Sequence, residues 1–370
     1  MALVFASCAQ PALPPATNAP ADKSATQAPQ KQAWEVEWQK TLDAAKKEGR
    51  VVLYTTAGPE IRTAFAGAMK DKYGLEMEFV TGRAAEMITK ILNERRAGLF
   101  LGDAYMSGAP SAIAMLVPEG VIDPIIPDLV LPEVTDVTRW FGSKFPFVDN
   151  GQRFFGFRGS PFWSFTRNTD LVKAEELVSY NDLLKPSFKG KIAMGDPTIT
   201  GASNAFVAMV TQYFMGRDFI KQLVKQEPAV SRDERQLTEW VARGKYSILV
   251  GTTPDPITEF MKAGAPLMPV IPKEGTMIEP GAGTVAVMNR RPHPNATRVF
   301  INWLLSKEGQ TLYAVTAGIE SAREDVSKAH LGAELVREPG KKYIIGDEEY
   351  QLAKGKVVQQ SQEDFASLLR

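Results

Sequence analysis

The stretch Lys191–Phe206, KIAMGDPTITGASNAF, carries the residue types of an oxyanion cradle. Ile192–Met194 predicts a short buried strand, Gly195-Asp196-Pro197 a sharp turn, and Thr198, Thr200, Gly201 and Ser203 the entry to a helix. A helix start has unpaired N–H donors at the positive end of its dipole, and glycine admits a ligand to the backbone. An ordinary capped turn would use the same residues, but the device recurs. Thr55 and Thr56 follow one apolar run, Gly82 and Arg83 a second, Ser107 a third, and Thr252, Thr253 and Asp255 a fourth. Arg83 suits an oxygen-rich anion or stands as a solvated arginine at a helix start. Asp255, between two prolines, is a ligand group or a turn former. Trp163, in the aromatic stretch FFGFRGSPFWSFTRN, either stacks on a solute or packs in a core.

The counts of reactive residues narrow the chemistry. Cys8 is the only cysteine, and the two histidines, His293 and His330, stand far apart in the chain. Zinc sites built from Cys and His are excluded, as is any triad pairing His with a nearby Cys. A hydrolase working with carboxylates alone would need paired acids facing one cleft, and no spacing points to such a pair. We therefore expect no catalytic residue, no cofactor and no enzymatic activity. Lys plus Arg number 43 and Asp plus Glu number 43, with no basic tract, so nucleic-acid binding by counterion release has no support.

The elements that would position these loops alternate between strand and helix. Val51–Tyr54, Met77–Val80 and Asp103–Met106 read as strands, separated by amphipathic helices bearing Ile61, Phe65 and Met69, then Met87, Ile88 and Ile91. A preceding helix carries Trp34, Trp38 and Leu42 and ends at Gly49. Such alternation predicts an α/β fold with ligand loops at the carboxyl ends of its strands. A chain of 370 residues exceeds a comfortable single core. Trp163–Phe165 reads as the crossing into a second lobe, which holds the cradle and a strand at Tyr246–Val250. Thr284–Met288 reads as a return strand.

The N-terminus has a different character. Residues 1–8, MALVFASC, resemble the end of a truncated lipoprotein signal, with Cys8 as the lipidated residue. Residues 9–33 are rich in Pro, Ala, Thr and Gln and read as a disordered tether. This places the folded body outside the cytoplasm, anchored to a membrane in the periplasm or on the outer face of the cytoplasmic membrane. No apolar run reaches the ~20 residues of a membrane-spanning helix.

With these residues in view, the chain resembles the extracellular solute-binding proteins of ABC importers, in the cluster that includes the periplasmic ferric-iron-binding proteins. The landmarks are VVLYTTAG, TRNTDLV, FKGKIAMGDPTITGASNAF, WVARGKYSILVGTTPD, PGAGTVAVMN and HPNATRVFINWLLSKEGQ, which together span most of the folded chain. The resemblance implies the type II fold, with two lobes, each a mixed, mostly parallel sheet flanked by helices, joined by hinge strands. It divides the chain into lobe 1 at 34–160, lobe 2 at 161–282 and a return to lobe 1 at 283–345, leaving 346–370 unplaced. It also implies a monomer that closes on a small-molecule solute and delivers it to the transmembrane permease subunits of an importer.

The ferric-binding relatives usually present adjacent tyrosines just after the strand corresponding to Tyr246–Val250. Here that place holds Thr252-Thr253-Pro254-Asp255. Ferric iron prefers anionic oxygen ligands, and Tyr54 and Tyr105 are the tyrosines near predicted strand ends that could supply them. The hydroxyls, glycines and Arg83 or Arg235 instead favour a small carboxylate, phosphonate or phosphate ester. Ferric iron, alone or with a synergistic anion, is the alternative, and a hydrolase or a sensor subunit on the same fold stands behind it.

Overall fold

The computed structural model describes Ala2 and residues 32–199, 201–278, 281 and 283–369. Cys8, almost all of the expected tether, Thr200, Pro280 and Ala282 lie outside the described residues. In chain order the strands are β1 (Arg50–Thr55), β2 (Glu76–Thr81), β3 (Ala104–Met106), β4 (Ile122–Asp123), β5 (Phe155–Gly156), β6 (Phe165–Asn168) and β7 (Ile192–Gly195). They continue with β8 (Ala229–Ser231), β9 (Ile248–Val250), β10 (Leu267–Val270), β11 (Thr276–Ile278), β12 (Thr284–Met288) and β13 (Tyr343–Ile345).

Two principal sheets result. The first runs β2-β1-β3-β12-β4, with β5 also paired to β12. In it β1 is parallel to β2 and β3, while β12 returns antiparallel from the far end of the chain. The second runs β10-β6-β9-β7-β8, parallel across β8, β7 and β9 and antiparallel at β6 and β10. This is the expected two-lobed, mixed α/β architecture.

Alternation along each strand explains why the runs are apolar throughout. In β1, Val51 and Leu53 face the core under the helices Ala33–Glu48, Pro59–Tyr73 and Pro294–Leu305, whereas Val52 and Tyr54 face that under Ala84–Arg96. In β7, Ile192 and Met194 enter one core of lobe 2 and Ala193 the other. Sheets covered by helices on both faces leave no polar side to their strands. Gly49 (φ 75°) ends the first helix, as expected.

Two local expectations shift. Trp163 lies just before β6, buried at the edge of lobe 2 with Ala193, Leu249 and Leu267. The unplaced C-terminal stretch forms the helix Glu348–Asp364, which buries Tyr350 and Val357 in a lobe 2 core. Its polar sequence masked it, because it packs with a narrow apolar face.

The lobes are joined by crossing segments. The first is Phe157–Ser164, between β5 and β6. The last runs from Ile319 to β13, and its start pairs with the first: Arg158 bridges Ser321, and the Gly159 N–H donates to the Glu320 carbonyl at 2.7 Å. A Cβ at position 159 would stand 2.3 Å from the Ser321 carbonyl oxygen, so only glycine allows this approach. Buried charge pins the same segment. Glu320 accepts from Arg337 at 2.7 and 2.8 Å, and Arg323 binds Asp325 at 2.8 Å and the Leu305 carbonyl at 2.8 Å.

Candidate ligand cleft

The strand ends of lobe 1 deliver hydroxyls that largely engage each other. The Thr55 hydroxyl accepts from the Ala57 N–H at 3.0 Å, and the Thr56 and Ser107 hydroxyls lie 3.1 Å apart. Thr284 donates to the Ser107 carbonyl. Gly82 and Arg83 stand where β2 hands over to the helix Ala84–Arg96, and the Arg83 N–H donates to Glu86 at 3.2 Å.

In lobe 2 the cradle is tightly organised. Asp196 accepts from the Thr198 N–H and hydroxyl at 2.8 and 2.6 Å, and from Arg232 at 2.8 Å. Ser203 donates to the Gly195 carbonyl at 2.6 Å, tying the helix Ala202–Met209 to the end of β7. Gly251 (φ 64°) lies so close that an added Cβ would stand 2.8 Å from the Ser203 Cα. Thr252 is buried, while Thr253 stands at the N-cap position of the helix Pro254–Lys262 without a side-chain capping bond, its N–H donating to Glu234 at 3.0 Å and its hydroxyl donating to the same carboxylate. Many of the hydroxyls expected to meet a ligand thus also shape the turns that present the helix starts.

The Asp196 turn has a consequence in acid. Burial pushes its carboxyl up, but the Thr198 and Arg232 hydrogen bonds together outweigh burial and hold it below the usual carboxylate range. A depressed folded value contributes stability above the unfolded pKa of ~3.9, and that stability is lost as pH falls through the folded value. Arg232→Ala is therefore expected to move the acid-unfolding midpoint to higher pH in a circular-dichroism titration. An unchanged midpoint would show that the contact is not coupled to folding.

Between the lobes lie two joined chambers of about 560 and 750 Å³. Both are walled by Arg158, Ser160, Pro161 and Pro254, so the first crossing segment forms their common floor. The smaller adds Pro110 and Ser111 from lobe 1, and Gly201, Ala202 and Thr253 from lobe 2. The larger adds Trp163, Asp255 and Lys262 from lobe 2, with Gly318 and His330 from the far side. Of the expected ligand residues, Gly201 and Thr253 line the first chamber and Trp163 and Asp255 the second. Thr55, Thr56, Gly82, Arg83, Ser107, Thr198, Ser203 and Thr252 line neither.

Tyr54 and Tyr105 are buried in the lobe 1 core. The Tyr54 hydroxyl donates to Glu94 at 2.7 Å, and burial followed by that carboxylate pushes its pKa up. Burial also pushes Tyr105 up, which opposes a phenolate at either position. His293 binds Asp103 at 2.8 Å inside lobe 1. Among the described residues, no three His, Cys, Asp or Glu side chains cluster as metal ligands.

Arg158 is the residue the sequence reading passed over. It lies on the floor of both chambers, half-buried, and among the described residues its guanidinium has no hydrogen-bond or ion-pair partner. A partly desolvated guanidinium without a carboxylate is a strong site for a carboxylate or phosphate group. The available signal was its setting, a single cation within FFGFRGSPFW, where the chain leaves lobe 1.

Two mixed α/β lobes with a cleft between them are the type II periplasmic-binding-protein fold. The family model for bacterial extracellular solute-binding proteins matches residues 51–315, and the chain belongs to that family. An uncharacterized protein of Haemophilus influenzae is 25% identical over 275 residues, covering 73% of this chain and 76% of that one. Among solved structures, the periplasmic binding protein AfuA of Actinobacillus pleuropneumoniae, with fructose-6-phosphate bound, is 20% identical. It covers 86% of this chain and 99% of AfuA, with a TM-score of 0.60. The Trichodesmium IdiA (FutA) protein in complex with iron and citrate is 17% identical, covering 86% and 99%, with a TM-score of 0.63. Ferric iron-binding protein A of Mannheimia haemolytica, in an open conformation, is 13% identical, covering 87% and 98%, with a TM-score of 0.65. The family is one of non-catalytic, extracytoplasmic proteins that carry small-molecule cargo to a membrane permease. No helix of the described residues is long and apolar enough to cross a membrane.

Proposed function

We propose that the cleft captures a small oxygen-rich organic anion, a carboxylate, phosphonate or phosphate ester, for delivery to an ABC permease. The observation that carries this reading is Arg158, a cation that lines both chambers and has no protein partner among the described residues. The start of the helix Ala202–Met209, where Gly201 and Ala202 line the smaller chamber, adds backbone donors. Closure then needs only that a bound anion touch both lobes at once, so that the closed state binds it more tightly. Cys8 would tether the body to the membrane through a lipid, the protein acting as a monomer.

Ferric iron is the second reading, and the iron-binding proteins among the solved relatives favour it. Among the described residues no tyrosine lines either chamber. Iron would therefore enter as an anionic chelate, its coordination filled by a partner such as the citrate of the Trichodesmium protein. Calorimetric titration with glycerol 3-phosphate, citrate and ferric citrate, with X-ray scattering to follow closure, separates the readings. Saturable binding of a metal-free anion with a smaller radius of gyration supports the first. Binding of ferric citrate alone supports the second and overturns the first.

A further inference from the structure

We infer that the C-terminal helix Glu348–Asp364 is a selective wall of the cleft, on which Gln351 reads a hydroxyl or amine donor of the solute. The inference rests on the proposed anion site at Arg158 and adds a second recognition point to it. The solute class becomes a hydroxylated or aminated organic anion, and not a bare oxyanion or metal ion.

Three observations carry it. Gln351, Leu352, Lys354 and Gly355 all line the smaller chamber, opposite Pro110 and Ser111 of lobe 1. Their spacing puts them on one side of a helix, so the wall is a continuous helical surface. Gln351 is 5% exposed, and its Oε1 is a buried acceptor with no partner among the described residues. The amide orientation follows from its Nε2, which donates to the Gly346 carbonyl at 3.4 Å. A buried acceptor left unpaired is costly, and at a cleft wall a ligand donor is the group that satisfies it. Gly355 lies within the helix, where glycine is disfavoured, yet a Cβ there would meet nothing within 4 Å. The bare backbone leaves room for a solute to lie against the helix.

The wall is also fixed in place. Tyr350 donates its hydroxyl to the Ala205 carbonyl at 3.2 Å, and Asn204 donates to the Lys354 carbonyl at 3.2 Å. Arg217 holds Asp364 at 3.0 and 3.1 Å at the other end. These bonds join the helix to lobe 2, while Glu348 accepts from the Asn150 N–H of lobe 1 at 2.7 Å. Lys354 brings a further cation to the same chamber.

A matched pair of probes tests the inference: glycerol 3-phosphate, which carries hydroxyls, and n-propyl phosphate, which carries none. By calorimetry the wild type is expected to bind glycerol 3-phosphate at least tenfold more tightly. Gln351→Leu is expected to abolish that preference, with the melting temperature followed alongside because the variant removes both the unpaired acceptor and the bond to the Gly346 carbonyl. Gly355→Leu is expected to weaken both organic phosphates and leave inorganic phosphate unchanged. Wild-type protein that binds both probes equally, or neither, overturns the inference, as does a Gln351→Leu or Gln351→Met variant that keeps the preference. Arg158→Ala separates the two levels. If it weakens both probes while Gln351→Leu changes nothing, the anion site stands and the selective wall falls. If it weakens neither, the anion site falls as well.

Discussion

Arg158→Ala is expected to weaken binding of an organic anion by roughly 10- to 150-fold while leaving the melting temperature within a degree or two of wild type. A hydrogen bond to a charged group contributes about 1.5–3 kcal/mol, and each 1.4 kcal/mol is a factor of ten in the dissociation constant. The asymmetry between binding and stability follows from the side chain's surroundings. Its guanidinium has no partner to lose among the described residues, and the segment is held through its backbone by the Ser321 bridge. Arg158→Lys is expected to recover only part of the affinity, because an ammonium cannot reproduce a bidentate grip. Calorimetric titration of both variants reads the effect. A loss of stability with unchanged affinity would make Arg158 a structural residue of the hinge.

Arg323→Ala is expected to give the largest loss of stability, about 3–5 kcal/mol, the usual consequence of removing one partner of a buried ion pair. Arg323 is 1% exposed and lies 5.6 Å from the centre of the Trp140 ring. It donates to Asp325 at 2.8 and 3.1 Å and to the carbonyls of Leu305 and Glu133 at 2.8 and 3.1 Å. Its bonds tie the start of the last crossing to the end of the helix Pro294–Leu305 and to Glu133. Urea unfolding followed by tryptophan fluorescence measures the change, with a loss below about 1 kcal/mol counting against the account. The Arg323 hydrogen bond also holds the Asp325 carboxyl below the usual range. That contribution exists above the unfolded pKa and disappears as pH falls through the folded one. The variant should therefore lose less of its remaining stability on acidification than the wild type.

The fold was legible because its strands are apolar throughout and its helices amphipathic. VVLYT, IAMG and TVAVM read as short strands, and the structure buries them on both faces. The C-terminal helix was not legible, because a bridging helix that buries Tyr350 and Val357 among Gln, Lys and Glu has too narrow an apolar stripe to stand out. The cleft was legible in part. Gly201 and Thr253 were found because helix starts have a sequence signature. Many of the hydroxyls are already engaged, as Thr198 is with Asp196, Ser203 with Gly195 and Thr253 with Glu234. A sequence shows that a hydroxyl stands at a strand end but not what already occupies it. Arg158 and Gln351 were missed because each reaches the cleft through a hinge or a distant helix, which local spacing does not encode.

The most direct test of the central claim is native mass spectrometry of the protein purified without added ligand, set against its denatured mass and against Arg158→Ala. We expect an adduct of the mass of a small organic acid or phosphate ester that is absent from the variant. An adduct of iron without an accompanying anion, or one retained in full by Arg158→Ala, would contradict the assignment of the cleft as an anion site built on Arg158.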